Sequence, residues 1–257
     1  MLFPTKRRRR RRELFDAGFT DAWRDLCAAR FAWWEDLDDG ERVRLEAVAL
    51  GLIAGADWEP ANGFTLTEEM QVLIAAQAAL LTVNLPFEDP YQDVHAIIVH
   101  PTTVVLDGEH SQVGGVVSDD PMPILGQAEY HGPVLVAWDE VADDVVHHGD
   151  GRNVVFHEFA HKLDMLDGTS DGTPPMDAGL ASRWVEVCTR VYEAVVVGEG
   201  GSVLDPYAGV NPAEFFAVVT EAFFDDPAGL RDEHPDLYRC FSDFYGQDPA
   251  SWPSAAG

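Results

Sequence analysis

Apolar positions recur with a helical period through the first third of the chain. Trp23, Leu26, Cys27, Phe31 and Trp34 fall near a 3.6-residue spacing. Val43, Leu45, Val48, Leu50 and Leu52 repeat it between Asp39 and Ala54, so residues 13–57 are predicted to be helical. Trp58–Gly63 carries Pro and Gly and reads as a loop. Thr67 then caps a helix that is apolar on nearly every face from Val72 to Val83, the pattern of a buried helix. Beyond Pro86 the period shortens. Val94–Val99, Thr103–Leu106 and Pro133–Trp138 are β-branched runs ending near Pro or Gly, with Val113–Val117 a weaker candidate. They predict a small, mostly antiparallel or mixed sheet, whose edge suits alignment of an extended peptide. Asp139–His148 is expected as a short helix, Ala178–Val197 as an amphipathic one, and His234–Tyr245 as the last. The fold class is α+β and mainly helical.

The 257 residues hold 46% apolar side chains, enough for a globular core. Their organisation is read as a basic tail over 1–12 and one domain over 13–257, helical in 13–85 and carrying the sheet and the site in 86–257. The net charge is −28, and since Lys6–Arg12 supply seven positive charges, 10 basic residues face 45 acidic ones elsewhere. Such a body repels nucleic acid, which excludes it as a partner. The basic run lacks the apolar stretch of a secretory signal and is expected as a solvated, disordered tail. No apolar run reaches the roughly 18 residues of a membrane span, so stable membrane insertion is not expected. Three scattered cysteines, Cys27, Cys188 and Cys240, point to a reducing, cytoplasmic setting.

One stretch carries chemistry: Asn153-Val-Val-Phe-His157-Glu158-Phe-Ala-His161-Lys-Leu-Asp164. Asn153 is a natural N-cap, and almost everything polar in the helix it opens belongs to His-Glu-x-x-His. Histidines four apart lie roughly 40° apart in projection, one turn above the other, so both imidazoles reach one metal ion. Glu158, beside the first histidine, is placed to take a proton from water activated by the metal. Ionisable groups in so apolar a helix are costly unless paired or coordinated. His147-His148 lacks the one-turn spacing and is set aside.

A catalytic zinc usually has three protein ligands and keeps one position open. Asp167, six residues after His161, has the spacing of one zinc-peptidase class, but Asp164 stands where that class needs a glycine to turn. Glu214 and Glu221 lie on a second apolar helix, with Asn211 as N-cap and Pro212 at its first position. Seven residues apart, they share one face, and spacing leaves the choice between them open. Glu214 also has a capping role available, bonding back to the Asn211 amide. The carboxylate that is not a ligand, or Asp164 two turns from His157, is suited to accept a hydrogen bond from a ligating imidazole.

These residues, with Tyr207, Asn211-Pro-Ala-Glu214-Phe-Phe-Ala-Val218, Glu221-Ala-Phe-Phe224, Gly63–Met70, Val94–Pro101, Gly132–Trp138 and Phe244–Pro249, resemble the Mlc titration factor A (MtfA) family of zinc-dependent peptidases. The resemblance runs from about Trp34 to Pro249 and leaves out the arginine run. It implies a zincin-like fold of the gluzincin kind, similar to the catalytic domain of anthrax lethal factor, with the His-Glu-x-x-His helix packed on the Glu-bearing one. It implies one Zn²⁺ held by His157, His161 and Glu214, with Glu158 as the base and Tyr207 stabilising the oxyanion. The implied activity is peptide-bond hydrolysis, aminopeptidase-like, on a peptide or protein substrate. The alternative it carries is a regulator that captures a transcriptional repressor of sugar uptake, with minor peptidase activity.

Overall fold

The structure is a computed structural model that describes residues 6–102, 104–106, 110–111, 117–118, 122–124, 132–146 and 149–253. Helices α1 (Lys6–Ala17), α2 (Asp21–Arg30) and α3 (Asp39–Gly55) lead into strand β1 (Asp57–Pro60), helix α4 (Glu68–Leu80) and strand β2 (Ala96–His100). Short strands follow: β3 (Val104–Leu106), β4 (His110–Ser111), β5 (Val117–Ser118), β6 (Met122–Ile124) and β7 (Val134–Ala137). The remaining helices are α5 (Trp138–Asp144), α6 (Val154–Asp164), α7 (Ala178–Val196), α8 (Pro212–Asp225), α9 (Pro227–Glu233) and α10 (Pro235–Tyr245). The chain is a mainly helical α+β protein, as the periodicity predicts. No helix among the described residues is long and apolar enough to cross a membrane.

Three expectations change. The sheet is neither antiparallel nor mixed: β1, β2 and β7 pair in parallel in that order, and the described antiparallel pairs, β3–β6 and β4–β5, are separate two-stranded ribbons. Parallel pairing follows from crossovers rather than from the strand sequences, so the β-branched runs could not reveal it. Asp57, read as the last helical residue, and residues 58–60, read as the start of a loop, form a strand; Asp57 N–H donates to the His95 carbonyl at 2.8 Å and Ala61 N–H to that of Val99 at 2.9 Å. β1 lies at the sheet edge, where Pro60 is tolerated. Finally, residues 6–12 are not an unstructured tail but belong to α1, where Arg9 pairs with Glu13 and Arg12 with Asp16 one turn on. α9 was not anticipated, and His147, His148 and most of Val113–Val117 lie outside the described residues.

α4 is buried from Gln71 to Leu80. Its polar interruption Gln77 is satisfied there: it accepts from the Asn153 side-chain amide at 2.7 Å and donates to the Leu73 carbonyl at 3.3 Å. α6 packs between α4 and α8, with the Phe156 and Phe224 rings 5.3 Å apart. The far side of α8 is held by α7 and α10 through an aromatic cluster: Trp184 stacks on Phe241 at 4.8 Å, and Phe216, Phe223 and Tyr245 complete it. All five of these rings are among the largest fully buried side chains, each contributing roughly 1.5–3 kcal/mol by burial. The two helices that carry the candidate residues are therefore backed by packed core on their outer sides.

Candidate active site

Both helices begin as their cap residues dictate. The Asn153 side-chain oxygen accepts from Phe156 N–H at 2.9 Å and starts α6; the Asn211 oxygen accepts from Glu214 N–H at 3.0 Å and, with Pro212 at the first position, starts α8. The Asn211 cap is only half of a capping box, because the Glu214 carboxylate points at the histidines. Glu214 Oε2 lies 3.1 Å from His157 Nε2 and 3.4 Å from His161 Nε2, and the two Nε2 atoms are 3.2 Å apart. Ligands about 2.0–2.1 Å from a tetrahedral zinc stand about 3.3 Å from one another, so the triangle fits that ion. Among the described residues this is the group of histidine, cysteine and carboxylate side chains whose ligand atoms converge on a metal-sized space.

Glu221 occupies the other side of the first histidine. Its Oε1 is 2.7 Å from His157 Nδ1 and its Oε2 accepts from Asn153 N–H at 2.7 Å. The neutral ring therefore carries its proton on Nδ1 and turns a lone pair at Nε2 toward Glu214 and His161. Lone pairs facing one another at this distance need a cation between them. Without a metal, a proton serves. Burial disfavours the charged imidazole, yet Glu221 and Glu214 hold His157 well above its ordinary pKa. Burial lowers that of His161. Burial opposes ionisation of Glu214, but the two imidazoles outweigh it and hold the carboxyl at about 2. The expected effect of Glu221→Ala is a metal affinity about 10–100-fold weaker, checked by competition with a chromophoric chelator.

Glu158 is fully buried, and neither carboxylate oxygen has a hydrogen-bond partner among the described residues. Burial, reinforced by Glu214 and Glu221 and opposed by His157 and Lys162, raises its carboxyl to about 8. A carboxylate left unpaired in such surroundings makes Glu158 a candidate functional residue. Tyr207 stands on a 3₁₀ turn, Pro206–Gly209, with its ring centroid 6.2 Å from that of His157. Asp205 caps this turn by accepting from Tyr207 N–H at 2.9 Å, and Arg152 anchors Asp205 at 2.6 Å. Asp205 and Arg152 escaped the sequence reading, although Asp-Pro opening a turn is a usable signal. A 370 Å³ cleft opens beside the site, lined by Asn153, Val154, His157, Tyr207, Val218 and Glu221 among others.

Two candidates fall away. Asp167 is exposed and its carboxylate caps the turn that follows, accepting from Thr169 N–H at 2.9 Å and its hydroxyl at 2.6 Å. Asp164 shares a helix face with His157, but its Oδ2 accepts from Gly172 N–H at 2.9 Å, so it grips the loop after α6 rather than an imidazole.

Two histidines and a glutamate around a metal-sized space, beside an unpaired buried carboxylate, define the class of metal-dependent hydrolases. The glucose-regulated metallo-peptidase M90 profile matches residues 5–246, and the chain belongs to that family. The matched range takes in the arginine run that the resemblance had left out. The chain is 34% identical to Mlc titration factor A of Serratia proteamaculans over 239 residues, 86% of this chain and 89% of the relative. It is 34% identical to that of Pectobacterium atrosepticum over 219 residues, 83% and 82% of the two chains. An uncharacterized protein of Synechocystis is 32% identical over 245 residues, 93% and 89% of the two.

Proposed function

We propose that the protein is a zinc-dependent peptidase whose ion is held by His157, His161 and Glu214. The carrying observation is the triangle of ligand atoms with 3.1, 3.2 and 3.4 Å edges. When bound, Zn²⁺ supplies Lewis acidity, polarising a carbonyl oxygen and making water acidic near neutral pH. Glu158 accepts the proton of the attacking water on an oxygen that has no hydrogen-bond partner among the described residues, and returns it to the leaving amine. Glu221 holds His157 in the tautomer the site requires. Burial and the neighbouring carboxylates push the Tyr207 pKa up, so its hydroxyl stays protonated and donates to the oxyanion of the tetrahedral intermediate. The cleft beside Tyr207 takes the peptide, in aminopeptidase-like fashion as the resemblance implies, and the setting is cytoplasmic, in keeping with three buried free thiols.

The test is hydrolysis of a peptide library by the zinc-loaded protein and by Tyr207→Phe. The wild type is expected to cleave, and the variant to lose about 10²–10³-fold in kcat with little change in KM. An equal kcat would remove Tyr207 from the mechanism, and no cleavage by the wild type would end the peptidase reading. The name of two relatives, Mlc titration factor A, favours a second reading, in which the chain binds a transcriptional repressor of sugar uptake and cleaves peptides only weakly. Repressor binding that survives loss of the metal, with weak or no cleavage of any peptide, would select it.

A further inference from the structure

Gly172 is held on three sides by three different helices. Its N–H donates to Asp164 Oδ2 at the end of α6, at 2.9 Å. Its carbonyl accepts from Trp184 Nε1 of α7 at 3.2 Å. Its open face lies on the first residue of α8: a Cβ added there would stand 2.2 Å from the Pro212 carbonyl oxygen and 2.7 Å from its carbon. Glycine is required twice over, since φ is +75° and no side-chain atom fits. Asp164 is fully buried, and Ser170 adds a longer contact to the same oxygen at 3.5 Å. Pro212 precedes Glu214 by two residues, in the turn that Asn211 caps.

We propose that Asp164 and Gly172 form a positioning device for Glu214. Asp164 fixes the loop to the helix that carries both histidines, and Gly172 sets the closest approach of the α8 backbone to that loop. The separation of Glu214 from the imidazoles is thereby referred back to their own helix. α8 enters the site at its N-terminal end, so a displacement of Pro212 moves Glu214 directly. This rests on the ligand reading of Glu214 given above.

Gly168 supplies an internal control. It lies in the same loop with φ +93°, and a Cβ added there meets nothing within 4 Å. Gly168→Ala and Gly172→Ala both impose backbone strain, but only Gly172→Ala pushes on Pro212. Zinc dissociation constants of the full-length chains are measured by chelator competition, with thermal midpoints of the metal-free proteins alongside. Gly172→Ala is expected to bind zinc about 10-fold or more weakly, while Gly168→Ala stays within about twofold of the wild type. Equal zinc affinity in the two variants overturns the proposal while leaving the site intact. A wild type that takes up no zinc overturns the ligand reading, and the proposal with it. If Gly172→Ala does not fold, Asp164→Ala decides: weaker zinc binding supports the device, and wild-type binding overturns it.

Discussion

Glu158→Gln is expected to keep its zinc and lose turnover by about 10²–10⁴-fold in kcat, the usual contribution of a general base. The substitution preserves shape but gives an amide that accepts no proton. Glu158 is not one of the three groups whose atoms converge, so metal content should remain at the wild-type level. Its effect on stability has a definite sign. With the folded carboxyl raised to about 8 from an ordinary 4.5, the unfolded chain releases this proton first as pH rises. Ionisable Glu158 therefore costs the metal-free protein stability progressively between those two values, with no further change above the upper one. Metal-free Glu158→Gln should unfold at a higher temperature than the metal-free wild type, by a margin that widens across that window. Peptide assays, elemental analysis and melting curves at several pH values check all three outcomes. Wild-type turnover in the variant would sink the mechanism.

Glu214→Ala removes the carboxylate that faces both imidazoles at 3.1 and 3.4 Å. Two histidines on one helix remain, one ligand short of a usual catalytic zinc site. Loss of a ligand should exceed the roughly 10–100-fold that follows loss of an outer hydrogen-bond partner. Elemental mass spectrometry on protein purified without chelator should find near one zinc per wild-type chain and far less in the variant. Full zinc in both would remove Glu214 from the ligand set. None in either, even with zinc supplied, would favour the repressor-binding reading.

The residues differ in how far the sequence alone could place them. His157, Glu158 and His161 were legible because helical spacing fixes their mutual geometry and Asn153 marks where the helix starts. Glu214 and Glu221 were indistinguishable because they share a face two turns apart; only the partner helix separates them, by offering Glu221 both the Asn153 N–H and His157 Nδ1. Asp164 failed the same-face argument for a similar reason, since a loop donor reaches its carboxylate. Asp57–Pro60 could not be seen as a strand, because an edge strand of Asp, Trp, Glu and Pro shows no alternation. The hydrogen bonds that make it one come from β2.

The packing of α6 on α8 has a thermodynamic consequence. These helices are distant in the chain, and the three converging side chains span the seam between them. An ion bound there binds the folded chain alone, so its chemical potential becomes a term in the folding equilibrium. Free metal at 100 times its dissociation constant adds about 2.7 kcal/mol, a substantial part of the 5–15 kcal/mol that typically separates a native protein from its unfolded ensemble. If the site is filled as proposed, metal supply would govern how long the molecule persists as well as whether it reacts, and scarcity would thin the population through unfolding and degradation.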